Sequence, residues 1–262
     1  ASLGLPEGEY TSNSLRIFGF NPGIMTSAKI LPGYRMTLYS EDNFTGNTKI
    51  IDANTSYVGN DWNDKMKSVR VEAWGVSGVS GQYKIQGRNS GLFLDMNGNS
   101  SANGTRIVQW NDEDEELYQQ FHFEEIGNGV YSIYAHNSGK VFDVEGANTD
   151  NRADISIYTN NRQPHQQFIL VDAGDGYYQF VARHCGKVVE LPNNSTTAGE
   201  QVKLWDNNNQ KCSHWKLKTA YNYVVVFAED MSQFDGYLDL RNCTWNWWDN
   251  TLTQEEYRGA DV

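Results

Sequence analysis

Three stretches of this chain repeat one another, and a fixed period of about 47 residues commits a chain to a repeat architecture. Tyr83-Lys84-Ile85, Tyr131-Ser132-Ile133 and Tyr178-Gln179-Phe180 open the copies, 48 and then 47 residues apart. Gln119-Gln120-Phe121, Gln166-Gln167-Phe168 and Ser213-His214-Trp215 close them, 47 and 47 apart. Between these points run short apolar or alternating segments, such as Val69-Arg70-Val71, Leu92-Phe93-Leu94-Asp95, Arg106-Ile107-Val108-Gln109-Trp110 and Phe121-His122-Phe123. Gly, Asn and Asp clusters separate them, which is the pattern of an all-β chain with many short strands. No stretch shows sustained helical periodicity. The acidic run Asp112–Glu116 reads as a solvated loop or one helical turn.

The spacing divides the chain into residues 1–76, the repeats at 81–219, and a tail at 221–262. Gly75-Val76-Ser77-Gly78-Val79-Ser80-Gly81 reads as a small, flexible linker between the first two. Each copy predicts four strands, with Gly91, Gly139 and Gly186 at equivalent turns. Units of this size cannot bury a core alone, so three are expected to share one around a threefold axis, as a closed barrel with a hairpin cap.

Formal net charge is −12 in 262 residues, which argues against nucleic acid and anionic membrane as partners. The longest apolar run, Val224–Ala228, is too short to span a bilayer. No charged-then-apolar leader opens the chain, so no uncleaved signal peptide is expected. Three cysteines are not a disulfide framework; Cys185 and Cys212 share a repeat and either pair or stay free. Asn43, Asn54, Asn103 and Asn242 open glycosylation-type triplets, many of which arise by chance in so Asn-rich a chain. The five histidines lack metal spacing, and no nucleophile elbow, zinc helix or phosphate loop is present. The repeated acids lie in separate copies, too far apart to share one glycosidic bond, so the chain is expected not to be an enzyme.

The closing motifs, with Ser90-Gly91-Leu92-Phe93-Leu94-Asp95 and Ser138-Gly139-Lys140-Val141-Phe142-Asp143-Val144, resemble the ricin B-type β-trefoil lectins over residues 81–219. The resemblance implies a shallow sugar pocket on each repeat, in which a carboxylate accepts sugar hydroxyls and a ring stacks on the pyranose face. By motif the carboxylates are Asp95, Asp143 and Glu190, and the rings are Trp110, Tyr158 and Trp205. Both residue types suit a saccharide, because a carboxylate accepts charge-assisted bonds and a flat ring offers apolar area at little rotamer cost. The Asn that often precedes the closing Gln in that family, and also bonds the sugar, is Tyr118, His165 and Cys212 here. The third copy also has Ser213 for Gln. The expected sites are therefore Asp95, Trp110 and Gln119 in the first copy and Asp143, Tyr158, His165 and Gln166 in the second. Glu190 and Trp205 in the third rank well below. The competing reading makes the closing Gln and aromatic residues core and each Asp a turn cap.

Tyr34–Gly46, with an aromatic seven residues before a glycine, followed by Asp61–Val71, resembles one βγ-crystallin Greek key. Residues 5–30 resemble only the second half of another. The fold class expected is thus all-β: a β-trefoil plus a βγ-crystallin-like Greek-key β-sandwich. Val224–Phe227, Phe234–Tyr237 and Trp248–Thr253 echo key elements, so the tail either completes the Greek-key domain or stands apart. Calcium, which takes oxygen-rich ligands, is an optional cofactor of that family. Asp249, Asn250 and Thr253 are the candidate ligands in the tail, while Lys67 opposes a site at 63–68; no cofactor is required. The function expected is non-catalytic binding of galactose- or xylose-type glycans by an extracellular protein. The alternative is a trefoil that serves structure or protein interaction.

Overall fold

A computed structural model describes residues 3–113 and 116–220. The tail, with its Greek-key echoes and the candidate calcium ligands Asp249, Asn250 and Thr253, lies outside the described residues.

The first region holds β1 (Gly8–Tyr10), α1 (Ser12–Ile17), β2 (Tyr34–Tyr39), β3 (Thr48–Ile51) and β4 (Ser68–Ala73). The helix leaves no trace in the sequence pattern because six residues are too few to show a period. It forms where Thr11, in extended conformation, caps it by accepting from the Ser14 N–H. The strands make one antiparallel sheet in the order β1-β4-β2-β3. The Tyr39–Gly46 segment folds back as expected: Ser68 Oγ donates to Glu41 O at 2.8 Å and accepts from Phe44 N at 3.0 Å. Opposite this sheet, Ala28 and Thr55 form a lone bridge. Leu15, Leu38, Val58, Met66 and Val69 form the core of this region, and a groove of about 1190 Å³ is lined by its Leu5, Phe20, Met25 and Ile30 and by Arg162, Arg183 and Cys185 of the repeats.

Residues 75–79 are not a flexible linker. Gly75 N donates to Asn128 O, Val76 N to Leu170 O, and Tyr131 Oη to Val76 O, all within 3.0 Å. A Cβ on Gly75 would lie 2.5 Å from Leu170 O, and one on Gly129 2.2 Å from the Gly75 carbonyl carbon. Glycine is thus chosen here for close approach between backbones, not for chain freedom.

The three copies then give four strands each. They are β5 (Gly81–Gly87), β6 (Phe93–Met96), β7 (Thr105–Trp110) and β8 (Phe121–Gly127); β9 (Val130–Ala135), β10 (Lys140–Val144), β11 (Ile155–Tyr158) and β12 (Phe168–Gly174); and β13 (Tyr177–Ala182), β14 (Val188–Glu190), β15 (Lys203–Trp205) and β16 (Trp215–Thr219). The outer strands of each copy pair in a ring, β5-β8-β9-β12-β13-β16 and back to β5, which closes a six-stranded barrel. The inner hairpins β6-β7, β10-β11 and β14-β15 meet through Ser156↔Arg106, Val108↔Gln201 and Asp154↔Lys203, forming the cap. Phe121, Phe168 and Trp215, the equivalent closing residues, are wholly buried in one shared core. Each such side chain contributes roughly 1.5–3 kcal/mol by leaving water. Gly91, Gly139 and Gly186 take φ of +73°, +62° and +73° at the turn between first and second strands, a conformation costly for residues with a Cβ.

Candidate functional site

The cap hairpins place the acids and rings. In an antiparallel pair, directly opposed residues share a face, and so do residues two apart along a strand. Asp95 opposes Val108, and Phe93 opposes Trp110, so Asp95 and Trp110 occupy one face of β6-β7. Asp143 opposes Ser156 and Val141 opposes Tyr158, giving the same arrangement in β10-β11. Glu190 opposes Lys203 and Val188 opposes Trp205 in the third hairpin. The acids sit low and the first two rings stand proud: Asp95 and Asp143 are 4% and 6% exposed, Trp110 and Tyr158 39% and 46%.

A shared brace holds each of the first two carboxylates. Gln119 Nε2 donates to Asp95 Oδ2 at 3.0 Å and to Asn111 O at 2.7 Å, while its Oε1 accepts from Glu113 N at 3.0 Å. Gln166 repeats this on Asp143 Oδ2 at 2.6 Å, Thr159 O at 3.0 Å and Asn161 N at 2.7 Å. Both glutamines are fully buried. Their amides are taken up by the Asp and the backbone, so they position the acid and are not themselves exposed to a ligand.

The residue before each glutamine differs. His165 Nε2 lies 3.4 Å from Asp143 Oδ2, with the His184 ring 6.4 Å beyond it. In the first copy Tyr118 Oη instead donates to Glu113 Oε2 at 2.5 Å, and Trp110 Nε1 donates to Glu113 Oε1 at 3.1 Å. The sequence hides Glu113, because it sits in an acidic run that resembles a solvated loop. Burial pushes the Asp95 carboxyl up to about 6; the Gln119 bond opposes this, Glu113 adds to it and Lys84 offsets it. Burial also raises Asp143, against the Gln166 bond and the nearby imidazoles of His165 and His184.

The third copy is built differently. Ser213 is too short to brace Glu190, and Gln179 from β13 turns to Ser213 Oγ at 3.0 Å and to Asn207. Glu190 is left with the Cys212 thiol, whose Sγ is 3.7 Å from Oε2. Burial, with Glu190 beside it, pushes that thiol up to about 11. Cys185 and Cys212 are both free. The guanidinium of Arg152 stands 5.6 Å from the centre of the Trp205 ring.

Among the described residues, no group of three His, Cys, Asp or Glu side chains is placed to hold a metal ion. At 63–68, Asn63 Nδ2 bonds Asp64, Lys67 pairs with Glu41 at 2.6 Å and Ser68 is buried. No described helix is long and apolar enough to cross a membrane.

A barrel of three four-stranded copies with one carboxylate-and-ring hairpin per copy defines a ricin-type β-trefoil. The family model for the ricin-type beta-trefoil lectin domain-like family matches residues 57–110, 70–158, 117–205 and 164–246 in overlapping windows. The chain belongs to that family. Among solved structures, ThreeFoil, a designed threefold-symmetric protein, is 36% identical with a TM-score of 0.51, over 52% of this chain and 96% of that one. An exo-β-1,3-galactanase from Clostridium thermocellum is 27% identical with a TM-score of 0.50, over 67% of this chain and 36% of the galactanase. A βγ-crystallin domain from Flavobacterium johnsoniae is 36% identical over 29% of this chain and 86% of its own length, at a TM-score of 0.29, too low to place the fold of the first region. No curated protein matches the chain.

Proposed function

We propose that this chain binds galactose- or xylose-type glycans, without cleaving them, through the cap hairpins of its first two repeats. One observation carries the reading: each hairpin sets a buried, glutamine-braced carboxylate on the same face as a half-exposed ring. Asp95 and Asp143 accept sugar hydroxyls, and Trp110 and Tyr158 supply the apolar platform for pyranose C–H groups. His165 takes the place beside Asp143 from which a second hydroxyl is reached. Membership of a lectin-like family and the likeness to a galactanase support a galactose-type ligand. Two weak pockets on one rigid body gain avidity on a polymer or clustered glycan.

Affinity electrophoresis through β-1,3-galactan and xylan tests the reading. Retardation of the chain by either polysaccharide, abolished in the double variant Asp95→Asn, Asp143→Asn, is the expected outcome. Retardation unchanged in the double variant means that sugar binds elsewhere. A chain that migrates freely in every glycan leaves the structural or protein-interaction trefoil as the function.

A further inference from the structure

One difference between the two pockets proposed for sugar is a change of charge three residues past the ring. That position is Glu113 in the first repeat, Asn161 in the second and Asn208 in the third. Its backbone N–H has the same job in the first two, donating to the bracing glutamine. Its side chain reaches to the residue before that glutamine in both: Glu113 to Tyr118, and Asn161 to His165 Nε2 at 3.4 Å. The backbone frame is therefore shared while the charge is not. In the first pocket the Glu113 carboxylate is also fixed by the Trp110 indole N–H, at the edge of the ring on which a pyranose would lie.

The charge around that ring is lopsided. Asp95 shares the hairpin face with Trp110, Glu113 is bonded at the ring edge, and Asp112 pairs with Lys84. The nearby cation Lys84 is engaged by Asp112 and by Glu113 O at 2.7 Å. Glu113 also helps to hold Asp95 above the usual carboxylate range, a sign of two like charges close to one another. The second pocket instead presents Asp143 with His165 and His184 around it.

We propose that Glu113 is a specificity-determining residue, and that the first pocket takes a protonated amino sugar, a 2-amino-2-deoxyhexose, in preference to its neutral counterparts. The inference rests on the sugar-binding reading above. The ammonium of such a sugar would sit between Glu113 and Asp95, two carboxylates whose nearby cation, Lys84, is already engaged by Asp112. Tyr118 and Trp110 hold Glu113 in a single orientation, so little side-chain freedom is lost on binding.

The whole 262-residue chain, labelled with ¹⁵N, is titrated at pH 7 with galactosamine, galactose and N-acetylgalactosamine. The indole N–H signal of Trp110, assigned with Trp110→Phe, reports on the first pocket alone. Galactosamine is expected to bind about two- to five-fold tighter than galactose there, the range of a partly solvated ion pair. Glu113→Gln, which keeps the Oε1 acceptor for the indole, should bring galactosamine and galactose to equal affinity at this pocket. Asn161→Asp should create the same preference in the second pocket, read from pocket-two signals such as the Tyr158 ring. A preference that survives Glu113→Gln overturns the proposal, as does equal binding of galactosamine and galactose in the unaltered chain. So does an equal indole shift with ethanolamine, which carries the charge without the sugar. If none of the sugars shifts any signal, it is the underlying sugar-binding reading that fails.

Discussion

The first two cap hairpins and the third share a backbone plan and diverge in what steadies their acid. Asp95 and Asp143 each accept from a buried glutamine that is itself tied to two backbone groups. Glu190 has, among the described residues, the weak donor of Cys212, and the Arg152 guanidinium stands over the Trp205 ring. Having Ser in place of Gln at 213 does not leave a hole. Gln179, which corresponds to Ser132 in the second repeat, reaches across to fill the place with its own amide. Threefold symmetry of the chain path therefore does not enforce threefold symmetry of the sites. Each pocket is settled by side chains from neighbouring strands, and one short residue suffices to reroute them.

The most severe way to break this comparison is to neutralise the acids. Asp95→Asn and Asp143→Asn should each weaken sugar binding at their own pocket by about ten- to a hundred-fold, the strength of a hydrogen bond to a charged group. Glu190→Gln should leave total binding unchanged; calorimetry with a galactose oligomer reads all three. Next comes the brace. Gln119→Ala or Gln166→Ala should cost about 1–3 kcal/mol of stability in urea titrations, because buried backbone partners lose their donor and acceptor. Ser213→Ala, which removes two neutral hydrogen bonds, from Gln179 Nε2 and to Gln210 O, should cost about 1–2 kcal/mol.

Acidity sharpens the contrast further. With Asp95 pushed up to about 6, sugar binding at the first pocket should weaken as pH falls through that value. The expected slope is about ten-fold per pH unit once the carboxylate is mostly protonated. Stability runs the other way. Between the ordinary value of 3.8 and about 6 the native state holds the Asp95 proton more tightly than the unfolded chain. The contribution of this group is therefore greatest below that window and declines as pH rises across it. Trp110 fluorescence during a sugar titration at several pH values checks the first statement, and thermal melts of Asp95→Asn against the parent check the second. The smallest effect concerns the third ring. Arg152→Ala should uncover Trp205 and shift its emission while changing stability by less than about 1 kcal/mol, as for an exposed cation–π pair.

The hairpin acids, the rings, the closing aromatic core and the turn glycines are all legible in the sequence, because a period of about 47 residues repeats them in phase. Gln119 and Gln166 are legible as positions but not in role: complete burial turns them from ligand contacts into supports. The linker reading fails because Gly75 and its neighbours look free until Gly129 and Leu170, far along the chain, are brought against them. Helix α1 is too short to leave a periodic trace, and Glu113 is hidden in a run of like charges.

By itself the sequence determined the all-β class, the number of copies and the repeated positions of acid and ring, since short alternating runs and a fixed period are properties of the chain alone. Tertiary structure alone decided which acids are braced, which ring is covered by a guanidinium and where a second carboxylate meets the first ring. Those outcomes depend on burial and on partners from distant segments, and a side chain's solvation is set by whatever the fold packs around it.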